Sequence, residues 1–439
     1  MADIRSGDGA GGAYLQGRAL RRRAALSAAG AFLDGYDLLI INAALLTLVP
    51  QFGLSGARTG MLTSLPFIGM VIGALAAGRL CDLFGRRRIY MIDVGCFLVI
   101  TLLLAGAQEF WQLVILRFLL GVAIGMDMPT GTSMLAEFSP PKLLGRLTSL
   151  MQTVWVFGGM VAAIVGYILH ELFGASSWRW MFASAAIPAL IIAIARHSLP
   201  ETPRWKAARS TVVPTAGLPG RRSGIAEILR TPAFRSAVGF FTVYWVVESF
   251  LGGPPFVYTA LIFNKVLHFE ASQALLLNAG LSFVYVLANV FAQFVILDRF
   301  GRKRLAAVVC TIAALGAIAT GILGHTTVAL VVAFGVFAVA TQVAPVPFWP
   351  WSVEQLPTRI RATGQSIGSA GGKLGQFIGL NIFTTATIAG IGWTTYFVGV
   401  GVAFALLVVF VIVVGKETRG ADLDALDAID NSSPTRKEV

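Results

Sequence analysis

Apolar residues fill this chain in long windows, and polar residues gather in the gaps between them. Each window is near the 20 or so residues that a helix needs to cross a bilayer. The windows predict helices near 24–49, 59–79, 89–107, 110–136, 147–170 and 178–198, with a second set near 236–263, 272–297, 305–324, 327–351, 363–389 and 393–414. The expected fold is therefore an all-α membrane protein with twelve transmembrane helices. One internal stretch, 199–235, is polar and holds Pro200, Pro203, Pro214, Pro219 and Pro232. It reads as a linker between two six-helix bundles, 24–198 and 236–414. A cytoplasmic N-terminal segment (1–23) and a cytoplasmic tail (415–439) complete the expected organisation.

Composition agrees with the pattern. Apolar residues make up 56% of the 439 and charged residues 13%, against about 25% charged in a soluble domain. A water-soluble globule, a disordered chain and a coiled coil are all disfavoured. The net charge of +12 would suggest nucleic acid in a soluble protein, but its placement points elsewhere. All but five of the 34 Lys and Arg flank the helices on the side of the two termini. Arg58, Arg179 and Lys265 lie opposite, and Arg117 and Lys373 fall inside helices. Positive residues stay on the cytoplasmic side. Both termini are thus expected in the cytoplasm, in a multi-pass protein of the cytoplasmic (inner) membrane, with lipid rather than nucleic acid around it. Three cysteines form no C-x-x-C pair, so neither a disulfide framework nor a zinc site is expected. Arg21, Arg22 and Arg23 precede an apolar run, as in a secretory leader. That run carries Asp34 and Asp37 and continues to Pro50, and it reads as a retained first span.

Three local patterns occur twice. Asp82-Leu-Phe-Gly-Arg-Arg-Arg88 returns at Asp298–Arg304, Glu137-x-x-Pro140 at Glu354–Pro357, and Glu201-Thr202 at Glu417-Thr418. The offsets are 216, 217 and 216 residues. Six spans per half make the halves parallel repeats, a layout that suits alternating access to a site between them.

Residues 78–88, GRLCDLFGRRR, resemble the loop signature of the major facilitator superfamily, and 298–304 resembles its second copy. PETPRW at 200–205, KETRG at 416–420 and RFLLGVAIG at 117–125 resemble the sugar-porter branch. The resemblance covers roughly 24–420 and implies a secondary transporter. In the signature, Gly78 and Gly85 (second copy Gly301) permit a tight turn. Asp82 and Asp298 can accept from a helix N-terminus, and Arg86 and Arg302 sit at the headgroups. The resemblance further implies cytoplasmic ion pairs that latch the halves, from Glu137, Glu201, Glu354 and Glu417 with Arg146, Arg204, Arg359 and Arg361. Leu144-Gly145 replaces the usual Arg-Gly, which leaves either Arg146 to serve instead or a weaker latch.

Charges inside a bilayer are functional by default and need partners. Asp34, Asp37, Arg117, Asp127, Glu248 and Lys373 stand out. Asp34 and Asp37 share one helix face. At the rise of a helix, Asp34 and Asp127 lie level, each about 15 Å from the cytoplasmic side, with Asp37 about 20 Å in and Arg117 about 30 Å in. Asp34 and Asp127 are thus expected to face one cavity, and Arg117 to reach toward Asp37. Protonating such an acid removes its hold on the guanidinium, a switch that a proton gradient can drive. The resemblance supports these roles. Gly35-Tyr36-Asp37 with Arg117 is similar to the Asp–Arg pair of proton-coupled sugar porters. Gly125-Met-Asp127-Met-Pro129 is similar to a motif of phosphate:proton symporters, and Asp34-Gly-Tyr-Asp37 to one of aromatic-acid:proton symporters. The alternative for the acids is a structural ion pair.

Lys373 lies about 16 Å deep in the eleventh helix. At the same spacing from the preceding loop, organic-ion transporters carry a charge opposite to that of the substrate, which implies an anion here. The alternatives are a structural pair with Glu248 or a lysine snorkelling to the interface. Gln152, Trp155, Tyr244, Trp245, Tyr285, Asn289, Trp349 and Gln376 complete the expected cavity. Trp349 and Gln152 match sugar-stacking and sugar-binding positions of sugar porters. The seventh helix, however, lacks their Gln-Gln-x-Ser-Gly-x-Asn motif and is too apolar to satisfy a polyol. Glycines at 364/368/372 and 371/375/379 read as close-packing stripes. Gly252-Gly253-Pro254-Pro255 reads as a break in helix seven, and Pro345, Pro347 and Pro350 as one in helix ten.

The expected function is proton-coupled symport of a small organic anion such as an aromatic or hydroxylated carboxylate, by a monomer with no cofactor beyond the proton. Alternatives are a sugar:proton symporter, a drug or cation exporter favoured by Glu248, and a non-transporting nutrient receptor. No nucleophile–base arrangement or metal-ligand cluster points to an enzyme.

Overall fold

A computed structural model describes residues 4–6, 13–15, 17–138, 141–197, 224–323, 327–388 and 392–419. The first four spans are single helices: Gly17–Phe52, Gly56–Phe84, Arg86–Ala105 and Phe110–Phe138. The fifth is Pro141–Phe173, and the sixth is two helices, Ser177–Ser184 and Ala186–His197. The seventh runs Pro232–Lys265 and the eighth from Ala271 through a π-helical turn, Ala292–Ile296, to Phe300. The ninth is Arg302–Ile322, the tenth Thr327–Val343 followed by Phe348–Glu354, the eleventh Thr358–Ile388 and the twelfth Trp393–Val414. The chain is an all-α multi-pass membrane protein. The bilayer enforces this, because hydrocarbon leaves backbone polar groups no partner outside the helix. Two three-residue strands, Ile4–Ser6 and Ala13–Leu15, pair before the first span, and a short helix, Gly224–Arg230, precedes the seventh.

Packing repeats with an offset of six spans. Span one lies on five as seven lies on eleven, and the halves meet through span two on eleven and span five on eight. Outward faces remain apolar, as at Leu75, Ile187, Val328, Leu406 and Val413, because lipid is the solvent there. The glycine stripes of span eleven lie against span seven. A Cβ on Gly375 would strike the Val246 carbonyl, and one on Gly379 the Phe250 carbonyl.

Two expectations are corrected. Gly78 lies inside the second helix, so only Gly85, at φ 91°, makes the turn. The seventh helix runs unbroken through Gly252–Pro255. Pro254 and Pro255 lack the N–H groups that would bond the Phe250 and Leu251 carbonyls. The close approach of Gly379 to the Phe250 carbonyl packs that stretch of backbone tightly enough to keep it helical. The tenth span does break at its prolines, between Val343 and Phe348.

Candidate functional site

The two halves enclose a cavity of about 770 Å³, its open mouth included. Spans one, two and five supply Asp34, Met70, Gln152 and Trp155; spans seven, ten and eleven supply Trp245, Glu248, Trp349, Lys373 and Gln376. Charged, amide and indole groups from both repeats thus meet at one place. Three expected wall residues, Tyr244, Tyr285 and Asn289, do not line it. The Tyr244 hydroxyl donates to the Ala344 carbonyl at 2.6 Å, beside the break in span ten. Tyr285 packs on Phe256, with ring centroids 5.8 Å apart. Asn289 donates to the Tyr285 and Gln342 carbonyls and braces the helices instead.

Lys373 has no carboxylate within ion-pairing distance among the described residues. Its ammonium lies 5.7 Å from the Phe67 ring centroid, which keeps it inside the cavity. The Trp349 indole Nε1 is buried with no acceptor, so the wall presents an unused donor. Trp245 stacks on Phe348 at 4.3 Å and forms a flat apolar wall. Glu248, 4% exposed, takes a hydrogen bond from the Ser249 hydroxyl at 3.4 Å.

Asp37 and Arg117 do meet. Arg117 Nη1 lies 3.5 Å from Asp37 Oδ2 and donates to the Asp37 carbonyl at 3.1 Å. Both are essentially sealed, and neither lines the cavity. Asp127 does not stand alone with Asp34. Its partner is Arg196, at 2.6 Å, which also pairs with Asp93 at 3.2 Å and lies over the Tyr90 ring at 3.5 Å. The sequence reading missed both Asp93 and Arg196. Each stands close to a helix end, Arg196 in the last turn of Ala186–His197 and Asp93 two turns into Arg86–Ala105. Arginines there usually reach the interface, yet Arg196 is 1% exposed. The available signal was an acid and an arginine interrupting apolar windows three and six.

On the face opposite the start of span one, polar side chains join the halves. Asn42 bonds Asn278 at 3.1 Å and accepts from the Ala260 amide at 3.0 Å. Thr63 meets the Tyr258 hydroxyl at 2.5 Å, and Asn381 donates to Ser64 at 2.7 Å. Nearer the middle, Thr153 donates to Gln293 at 2.6 Å.

The expected loop ion pairs take a different form. Arg302 grips Glu354 with two nitrogens, at 2.6 and 3.1 Å, and Thr418 donates to the same carboxylate. Burial holds that carboxyl above its ordinary value despite these partners. Glu417 accepts from the amides of Arg302 and Lys303 and so caps the ninth helix. Arg361 donates to the Leu356 carbonyl. These contacts tie spans of one half together and do not bridge the halves. Glu201 and Arg204 lie outside the described residues, as do the side chains of Asp82, Arg86, Glu137, Arg146 and Asp298. At Gly301, φ is 86° and a Cβ would strike the Glu417 carboxylate. Gly301→Ala is expected to cost about 1–3 kcal/mol, the range for such backbone strain, and thermal unfolding in detergent checks it.

A family model described as Sugar (and other) transporter matches residues 24–216 and 220–429. The glucose transporter of Staphylococcus epidermidis is 28% identical over 430 residues, 92% of this chain and 95% of that protein. A niacin transporter of Acinetobacter baylyi is 26% identical over 419 residues, 90% and 94% of the two chains. A putative metabolite transport protein of Escherichia coli is 39% identical over 176 residues, so the match spans 39% of its length. Among solved structures, the xylose transporter of Escherichia coli in an inward-open conformation gives a TM-score of 0.74 at 22% identity, covering 93% of this chain and 99% of that one. That likeness shows the fold.

Proposed function

The chain belongs to the sugar (and other) transporter family, a family of transporters rather than enzymes, and on that premise we propose that it carries a small organic anion, an aromatic carboxylate, together with protons. The observation that carries this reading is Lys373, an ammonium in the cavity wall with no carboxylate in pairing distance among the described residues. A substrate carboxylate would take that place, with the Trp349 indole N–H as a second donor. The flat Trp245 wall suits an aromatic ring. Niacin, the substrate that one relative is named for, is a carboxylate of this kind.

Charge explains the coupling. Asp34, Glu248 and Lys373 share the cavity. With all three ionised, its walls carry one net negative charge and repel an anion. A proton on one acid makes them neutral, and a proton on each makes them positive. Anion and proton therefore favour each other's binding, and linkage makes the effect reciprocal. The flanking basic residues favour cytoplasmic termini, and in that orientation the polar contacts on the opposite face act as an external closure.

A second reading, sugar:proton symport, is favoured by Gln152, Gln376, Ser369 and Trp349 in the cavity wall and by the glucose-transporting relative. Calorimetric titration of purified protein with benzoate and with D-glucose separates the two. Benzoate is expected to bind, more tightly at acid than at alkaline pH. Binding of glucose but not benzoate would favour the sugar.

A further inference from the structure

Asp34 lines two cavities. One is the substrate cavity; the other is a smaller one of about 180 Å³ whose walls also hold Asp93, Asp127 and Arg196. Among the described residues no other lines both. The second cavity lies toward the face where span one starts, since Asp93 is only about 10 Å along the third helix and Arg196 stands in the last turn of the sixth. Asp37 and Arg117 line neither.

The smaller cavity has an excess of acid. Three carboxyls face one guanidinium, all with less than a tenth of their surface exposed. Among the described residues Asp34, Asp93, Asp127 and Tyr90 are the titratable groups facing Arg196. His197 follows it in the chain, Arg87 donates to the His197 carbonyl at 2.9 Å, and Lys373 acts on Asp34 from the larger cavity. Asp93 Oδ2 is buried and meets no donor, and the one Arg196 guanidinium is shared between the Asp93 and Asp127 carboxyls, at 3.2 and 2.6 Å. Buried uncompensated charge is costly, and a proton is the smallest ligand that supplies both the charge and the missing donor. Gly30 keeps the first helix close to this group, because a Cβ there would overlap Asp127 Oδ2 and Arg196 Nη2.

We propose that Asp93, Asp127 and Arg196 form the binding site of the coupling proton, with Asp34 passing that proton between the site and the substrate cavity. The proposal rests on the proton-coupled reading above. In the hand-over, the O–H bond on Asp34 breaks and an O–H bond forms on the Asp93–Asp127 pair. Asp34 is left as a carboxylate facing Lys373, which disfavours a bound anion and promotes its release. Arg196 balances whichever carboxylate the proton leaves.

The test measures protons moved per substrate in proteoliposomes, with a lumenal pH dye and radiolabelled benzoate or D-glucose, whichever is carried. Asp93→Asn and Asp127→Asn are each expected to lose proton movement while substrate still crosses, so that the ratio falls toward zero. Wild-type ratios in both variants overturn the proposal, whatever Asp37→Asn does. Wild-type protein that carries substrate but moves no proton overturns the symport reading and the proposal with it. A second measurement uses Asp93→Glu and Asp127→Glu, which keep the charge on Arg196. Infrared difference spectra between acid and alkaline pH should show the band of a protonated buried carboxyl, and that band should move in these variants. A band unmoved in both overturns the proposal.

Discussion

Replacing Arg117 with methionine is expected to destabilise the protein by about 3–5 kcal/mol, the cost of breaking a buried ion pair from one side. Neither Asp37 carboxylate oxygen has a hydrogen-bond partner, and the Arg117 guanidinium 3.5 Å away is the charge that compensates it. Removing it strands a carboxylate that is 0% exposed. The double variant Asp37→Asn/Arg117→Met removes both charges and should recover most of the loss, since apolar or neutral replacement of a whole buried pair is often tolerated. Thermal unfolding in detergent, for wild type, the single variants Arg117→Met and Asp37→Asn and the double variant, gives the pairwise coupling directly. A single Arg117→Met variant as stable as wild type would mean that Asp37 is already neutral.

The second large effect falls on transport. Lys373→Gln is expected to weaken binding of an aromatic carboxylate by about tenfold or more, because charge-assisted hydrogen bonds contribute about 1.5–3 kcal/mol. Lys373→Arg keeps the charge and should retain part of the binding, though its planar fork needs more room beside Phe67. Isotope uptake at several substrate concentrations measures both. Unchanged affinity in Lys373→Gln would remove the anion from the account and leave the sugar reading.

Much of this architecture was legible because a bilayer imposes a simple rule on the chain. Spans must be long and apolar, and the basic residues must stay out of them. The eleventh span shows the limit of that rule. Lys373, Gln376 and its glycines make Thr358–Ile388 less apolar than its neighbours, because one face lines the cavity and another packs on span seven. The Asp37–Arg117 contact followed from counting residues along two antiparallel helices. The Arg196 group did not. Its members come from spans three, four and six, and near a helix end a sequence cannot distinguish an arginine that turns inward from one that reaches the headgroups. Tyr244 shows a related limit: an aromatic on the correct span has several faces to choose from, and the carbonyl freed at the break in span ten took its hydroxyl. The continuous seventh helix shows that prolines break a span only where the neighbouring helix leaves room.

A transporter that moves an anion and a proton together, as proposed above, changes the lumenal pH when substrate alone is added. Purified protein in liposomes with a lumenal pH dye, and no imposed gradient, is given benzoate-type acids, aliphatic hydroxy acids and neutral sugars in turn. Protein-free liposomes provide the passive-leak baseline. Protein-dependent acidification is expected with an aromatic acid and none with a sugar. Acidification by a sugar alone would contradict the proposal.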